Sequence, residues 1–180
     1  MIEDIIVHNR KFVAERGYEP YETSKYPDKK LAILTCMDTR LTELLPAALG
    51  IRNGDAKIIK NAGGVISHPY GSAVRSLLVA ILELGVEEIM VIGHTDCGVQ
   101  GMDGKKMVEK LESRGIPKEH IDIIRKSGIS LEQWLGGFES AEEAVKESVE
   151  SLKNHPLMPK DIVIRGFMMD SVTGELSALS

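Results

Sequence analysis

Residues 31–40 read LAILTCMDTR, an apolar run of strand length that ends in a cysteine, an aspartate and an arginine. Residues 88–98 read EIMVIGHTDCG, a second apolar run that ends in a histidine and the second cysteine of the chain. Both runs are typical of buried strands. In an open parallel α/β sheet, the groups that bind ligands collect at the carboxyl ends of the strands. Two such ends side by side would bring Cys36, His94 and Cys97 together.

The rest of the chain alternates between strand-like and helix-like segments, which predicts parallel strands joined by right-handed crossovers. We expect an α/β fold of three layers, in which helices flank a central, mostly parallel β-sheet. Its strand order of 2-1-3-4, followed by an antiparallel edge strand, makes the first and third strands neighbours. The predicted strands are residues 31–35, 56–60, 88–93, 161–167 and 176–179. The predicted helices are residues 3–16, 41–49, 72–84 (with Ser72 as its N-cap), 102–113, 118–126, 130–134 and 140–154. Pro46 fits only near the first turn of the helix at 41–49, so we expect that helix to start late or to bend.

The first predicted helix, residues 3–16, has an apolar side for which the sequence offers no partner. Its apolar positions recur at helical spacing, interrupted by Asn9, and are Ile2, Ile5, Ile6, Phe12 and Val13. We expect residues 1–180 to form a single domain, and the N-terminal helix to pack on that domain or, more specifically, on a partner subunit.

Composition narrows the class of protein. A chain of 180 residues is one domain by the usual size of domains, and no apolar run approaches the roughly 20 residues that span a bilayer. The net charge is −5 with acids and bases interspersed, which indicates neither nucleic acid nor a membrane surface as a partner. Residues 1–6 contain two acidic residues and no basic one, whereas a signal peptide begins with a basic segment. We therefore expect a cytoplasmic protein.

The two cysteines allow three interpretations. In a reducing cytoplasm a structural disulfide is disfavoured, which leaves metal ligands, a redox pair or two buried apolar side chains. Their placement after two strands, with His94 three residues before Cys97, favours a metal site. Two thiolates and an imidazole are good ligands for zinc. Asp38 could be a fourth ligand or could accept a hydrogen bond from a zinc-bound water, and Arg40 could hold its carboxylate in a bidentate pair.

The pattern Cys36-x-Asp38-x-Arg40 followed by His94-x-x-Cys97 resembles the β-class carbonic anhydrases. The resemblance implies reversible hydration of CO2 to bicarbonate and a proton, with one zinc ion per chain held by the two cysteines and the histidine. It also implies that Asp38 and Arg40 form a dyad that orients the zinc-bound hydroxide, and that Asp38 closes the site as a fourth ligand when the dyad breaks.

The loop Asn61-Ala62-Gly63-Gly64 is similar to the family as well. Backbone N–H groups at Gly63 and Gly64 are candidates for steadying a substrate oxygen, although the same glycines would also suit a plain tight turn. The resemblance further implies a homodimer or a tetramer, with the active-site cleft at the subunit interface and the N-terminal helix crossing to the partner.

Two other functions remain open at this point. The first is hydrolysis of a CO2-like molecule, carbon disulfide or carbonyl sulfide, at the same site. The second is a non-catalytic role as a zinc-stabilised or thiol-switch protein. A nucleotide site at the glycine loop is disfavoured, because no Walker or dinucleotide fingerprint is present. We expect Asp96 to fix a turn. The other histidines are expected to be structural or at the surface, and they are His8, His68, His120 and His155.

Overall fold

The computed structural model describes residues 1–179, and within them five strands form one sheet of order β2-β1-β3-β4-β5. The first four strands are parallel, and β5 runs antiparallel to β4. The predicted three-layer α/β class and the strand order, including the antiparallel edge strand, are confirmed. The strands are β1 (Leu31–Cys36), β2 (Ala56–Asn61), β3 (Glu88–His94), β4 (Val163–Met169) and β5 (Leu176–Ala178).

Two of the predicted helices have the expected bounds, residues 72–84 and 118–126, and most of the others differ by one or two residues at an end. The described residues contain helices α1 (Ile2–Ala14), α2 (Leu44–Ala48), α3 (Ser72–Leu84), α4 (Gly104–Ser113), α5 (Lys118–Lys126), α6 (Leu131–Leu135) and α7 (Ala141–Lys153). None of the helices among these residues is both long enough and apolar enough to cross a membrane.

Two local predictions about helices are wrong, and a third is confirmed in part. The predicted helix over residues 41–49 starts late, as expected from Pro46, because proline has no N–H and fits only in a first helical turn. A 3-10 turn (Thr39–Leu41) precedes the short α2. Helix α4 begins two residues late, because the Asp103 carboxylate caps it by accepting from Lys105 N and Lys106 N. Ser72 is the first residue of α3 and not its cap, a position that Gly71 takes without a side-chain hydrogen bond.

The sheet is covered on both faces by apolar contacts. On one face, α3 and α7 pack on the sheet, and one cluster of buried residues there includes Leu34 and Val91 of the sheet and Leu77 and Val145 of the helices. On the other face, side chains from the 3-10 turn and from α2 pack on the sheet in a second cluster, whose buried members include Ile33, Leu41, Leu45, Ile92 and Met169. The carboxyl ends of β1 and β3 therefore emerge side by side between two packed layers.

Helices α4, α5 and α6 form a separate helical excursion, residues 104–135, at this end of the sheet. They surround a small core of their own, made of Val108, Ile121 and Leu131 with Leu135 packed against it. Backbone hydrogen bonds close the base of the excursion, from Gly101 N to Phe138 O and from Gly137 N to Met102 O, both 2.9 Å long. Those two bonds hold residues 137 and 138 beside the loop that follows β3.

Helix α1 buries none of its residues against the described chain. Two residues of its predicted apolar side, Ile2 and Ile5, are 69% and 64% exposed. The helix therefore adds nothing to the core of this subunit, and its packing on a partner subunit stays a prediction.

Candidate metal centre

The strand register places the two predicted ligand segments together. Strands β1 and β3 are neighbours, with Thr35 beside Ile92, so Cys36 and His94 are the last residues of adjacent parallel strands. Cys97 lies in the loop three residues after His94. Hydrogen bonds fasten the start of this loop to the end of β4, since Thr95 N donates to Met169 O over 3.0 Å. The three side chains therefore meet because the strand order brings their strands together.

The donor atoms of Cys36, His94 and Cys97 form a compact, buried cluster. The two sulfur atoms are 3.9 Å apart, and all three candidate ligand atoms lie within 4.8 Å of one another. Two sulfur atoms that each lie about 2.3 Å from a tetrahedral zinc ion are about 3.8 Å apart. The observed spacing therefore suits a zinc ion between the two cysteines.

The hydrogen bonds of His94 leave one ring nitrogen free for a ligand. His94 Nδ1 is 2.9 Å from the carbonyl oxygen of Thr95, which can only accept, so Nδ1 carries the proton. Nε2 then has a free lone pair, and it is buried without a hydrogen-bond partner among residues 1–179. An unpaired buried nitrogen of this kind is costly unless something else binds it. A metal ion at the cluster would remove that cost.

The protonation of Cys97 also fits a cation. Burial raises the pKa of the Cys97 thiol, and the neighbouring Cys36 raises it further. Without a positive charge nearby, the raised pKa therefore keeps the Cys97 thiol neutral. A bound metal ion reverses this preference, because a coordinating thiol is deprotonated. The donor set of two sulfurs and one imidazole nitrogen fits zinc with one position left for a further ligand.

Asp38 and Arg40 form a bidentate pair beside the cluster. Arg40 Nε donates to Asp38 Oδ1 over 3.0 Å, and Arg40 Nη2 donates to Asp38 Oδ2 over 2.9 Å. The backbone N–H of Arg40 also donates to Asp38 Oδ1. These side-chain and backbone hydrogen bonds hold the pKa of Asp38 well below its usual range, so the carboxylate is ionised at neutral pH. Asp38 Oδ2 lies 4.0 Å from His94 Nε2, next to the free nitrogen.

Arg40 also bonds to Asp96, a contact that sequence reasoning missed. Arg40 Nη1 donates to Asp96 Oδ2 over 2.9 Å, and Arg40 Nη2 donates to the backbone oxygen of Asp96 over 2.8 Å. Asp96 adopts a left-handed backbone conformation with a φ of 53°. Aspartate is one of the few residues besides glycine that adopt this conformation readily. The aspartate at position 96 was therefore the one local feature of the sequence that indicated a turn there.

Gly63 and Gly64 are the buried residues of a 3-10 turn (Ala62–Gly64) that packs against the end of β1. Both have positive φ, and a Cβ on Gly64 would lie 2.7 Å from the backbone nitrogen of Cys36. The close approach to the Cys36 backbone thus explains why residue 64 is a glycine. The proposed contact between these glycines and a substrate stays a prediction.

Gly64→Ala is expected to lower the free energy of unfolding by about 3 kcal/mol, because it combines a strained positive φ with a clash against backbone. Gly85→Ala is the matched control, since Gly85 has a φ of 72° but no atom within 4 Å of its ideal Cβ. Urea denaturation of both variants separates the clash from the strain. Equal losses in the two variants would show that packing on Cys36 does not require Gly64.

An open cleft of about 990 Å³ lies at this edge of the sheet. Its walls include Cys36 and Asp38 from the candidate centre, Ile66 from the loop after β2, and Trp134 and Phe138 from residues 134–138. Sequence reasoning assigned no role to that last segment, which reaches the cleft through the base of the helical excursion. The cleft is far larger than a triatomic molecule, so its size alone does not select a substrate.

His155 is buried and structural, as predicted for the histidines outside the cluster. Its Nε2 is 2.8 Å from Pro69 O, and its Nδ1 accepts from Leu157 N over 3.2 Å. It thereby fastens the loop before α3 to the segment that follows α7.

Comparisons with known proteins agree with this geometry. A family model described as carbonic anhydrase matches residues 31–176. A protein of Bacillus subtilis (strain 168), provisionally named carbonic anhydrase YtiB, is 50% identical over 179 residues, which cover 99% of this chain and 96% of that protein. A carbon disulfide hydrolase of Acidithiobacillus thiooxidans is 33% identical over 158 residues, which cover 83% of this chain and 76% of that protein.

Among solved structures, the β-carbonic anhydrase isoform I of Trichomonas vaginalis superimposes on this chain with a TM-score of 0.89. The two sequences are 34% identical, and the match covers 99% of this chain and 96% of that one. The likeness therefore extends over the whole fold, including the helices outside the sheet.

Proposed function

This chain belongs to the β-class carbonic anhydrase family, and from that premise we propose that it catalyses the reversible hydration of CO2 to bicarbonate and a proton. Cys36, His94 and Cys97 would hold one zinc ion per chain. The observation that carries the proposal is the ionised Asp38, held by two side-chain hydrogen bonds from Arg40, next to the free Nε2 of His94. A purely structural metal site has no need of an oriented carboxylate at that position.

Zinc supplies a nucleophile near neutral pH by lowering the pKa of a bound water to about 7, a value taken from a carbonic anhydrase with three histidine ligands. The residues of this chain orient the nucleophile and the substrate. The ionised carboxylate of Asp38 would accept a hydrogen bond from the nucleophile and so orient it toward CO2. Arg40 keeps the carboxylate turned to that task instead of to the cluster. We propose that backbone N–H groups at Gly63 and Gly64 face the substrate, because their turn adjoins Cys36.

Stopped-flow hydration of CO2, with zinc content measured on the same sample, tests the proposal. We expect one zinc ion per chain and a rate well above that of the zinc-free chain. Hydration no faster than in the zinc-free control, from a preparation with a full complement of zinc, would refute it.

Hydrolysis of carbon disulfide is the second candidate. It is favoured by the 33% identity to a carbon disulfide hydrolase and requires no change in the ligand set. Turnover of CO2 and of carbon disulfide by one zinc-loaded preparation ranks the two reactions. A higher kcat/KM for carbon disulfide would assign the site to that substrate.

We also propose that the protein is a cytoplasmic homodimer in which α1 packs on the partner subunit, with a tetramer as the larger alternative. The support is the apolar side of α1, which this subunit leaves exposed at Ile2 and Ile5. Light scattering on the purified chain measures the mass directly. A mass of one chain at micromolar concentration would refute the dimer.

A further inference from the structure

Arg40 contacts both of the loops that carry the candidate ligands. Within its own loop, its Nε and Nη2 donate to the two carboxylate oxygens of Asp38. In the loop after β3, its Nη1 and Nη2 donate to the carboxylate and the backbone oxygen of Asp96, which lies between His94 and Cys97. Four of the five N–H groups of the guanidinium therefore donate hydrogen bonds, and these bonds to both loops fix the orientation of its plane.

Asp96 presents two acceptors to the same guanidinium. Its backbone is left-handed, with a φ of 53°. In this conformation both its carbonyl oxygen and its carboxylate accept hydrogen bonds from Arg40. A salt bridge alone would need only the side chain. The pair of contacts means that Arg40 holds the loop between His94 and Cys97 through both the backbone and the side chain of Asp96.

We propose that Asp96 is a positioning residue, which acts through Arg40 to tie the loop of Cys36 and Asp38 to the loop of His94 and Cys97. Loss of the Asp96 carboxylate would leave Nη1 of Arg40 without its acceptor. The guanidinium could then turn with Asp38, and the two loops could separate more easily. The proposal rests on the metal site of the proposed function but not on the identity of the substrate.

The size of the effect follows from exposure. The Asp96 side chain is 86% exposed, and ion pairs between exposed groups are weak because water screens them. The backbone contact from Asp96 O to Arg40 also survives a change of side chain. We therefore expect removal of the carboxylate to speed the release of zinc by about threefold, which corresponds to the usual strength of an exposed pair.

Release of zinc from the loaded chain to a chromophoric chelator measures this effect without any substrate. Asp96→Gly removes the carboxylate and tolerates the left-handed backbone, so we expect about threefold faster release. Asp96→Asn keeps a side-chain oxygen acceptor and the same backbone preference but loses the charge, so its release rate should fall between those of Asp96→Gly and the wild-type chain. Asp161→Asn, the same change of charge at an exposed acid before β4, should leave the rate unchanged.

A second pair of variants separates positioning from loop flexibility. In the background of Arg40→Ala, Asp96→Gly should cause no further acceleration, because Asp96 acts through Arg40. An unchanged release rate in Asp96→Gly, or the same acceleration with and without Arg40, would overturn the proposal.

Exchange of the Arg40 Nε–H with water, followed by NMR, gives a readout that needs no metal. It should be faster in Asp96→Gly than in the wild-type chain, and an unchanged exchange rate would overturn the proposal. A wild-type chain that binds no zinc would refute the proposed function, and the Arg40 exchange rate would still decide the role of Asp96.

Discussion

Asp38→Asn is expected to lower the rate of CO2 hydration at least about a hundredfold while the chain keeps its zinc, a loss typical of removing a group that handles a proton in the transition state. The asparagine has the same shape as the aspartate. However, it has no charge to hold Arg40, and its NH2 group cannot accept a hydrogen bond. Because Asp38 is not among the three clustered ligands, metal content should stay close to one ion per chain.

Stopped-flow hydration and zinc analysis on one preparation check this result, with Asp161→Asn as a control for the lost charge. Arg40→Ala should lose activity in the same direction, because it frees the Asp38 carboxylate. Full activity in Asp38→Asn would mean that the pair with Arg40 is an ordinary surface ion pair. If neither variant changed the hydration rate or the zinc content, the result would favour the non-catalytic interpretation over the proposed enzyme.

Cys97→Ser is expected to abolish zinc binding at micromolar metal and to bring CO2 hydration down to the level of the zinc-free chain. Serine is a much poorer ligand than a thiolate, and only Cys36 and His94 would remain to hold the ion. Metal analysis after dialysis and the stopped-flow assay measure the two losses.

Treatment of the wild-type chain with a chelator provides the matched control for Cys97→Ser. It should reproduce the low activity of the variant, and it should not lower the activity of the variant any further. A Cys97→Ser chain that retained zinc and activity would show that Cys97 is an inert buried thiol, the alternative that its burial in the core also allows.

The sheet was predictable from the sequence because its strands are nearly continuous apolar runs that end in turn residues. Residues 31–35 and 88–93 differ from the observed β1 and β3 only at the last residue. The region of Leu41 and Leu45 was harder, because both side chains are buried at helical spacing although the backbone between them is not one helix. Burial set the apolar pattern there, while Pro46 and the turn at Asp38 set the backbone.

The candidate ligands were predictable because each lies at the last residue of a strand or in the loop just after it, so that strand order brings them together. The contact between Arg40 and Asp96 was not, since it joins residues 56 positions apart through side-chain geometry that no local pattern encodes. The same holds for Trp134 and Phe138. They reach the cleft only because hydrogen bonds at residues 101–102 and 137–138 close the base of the helical excursion.

The helical excursion has a consequence for the motions of the molecule. Its small core of Val108, Ile121 and Leu131 is separate from the two clusters that hold the sheet, so it can open without disturbing β1 or β3. Local opening of this kind has a lower free energy than global unfolding, and its amide hydrogens exchange with solvent correspondingly sooner. We therefore expect the amide hydrogens of this wall of the cleft to exchange with solvent before those of the strands that carry the ligand loops.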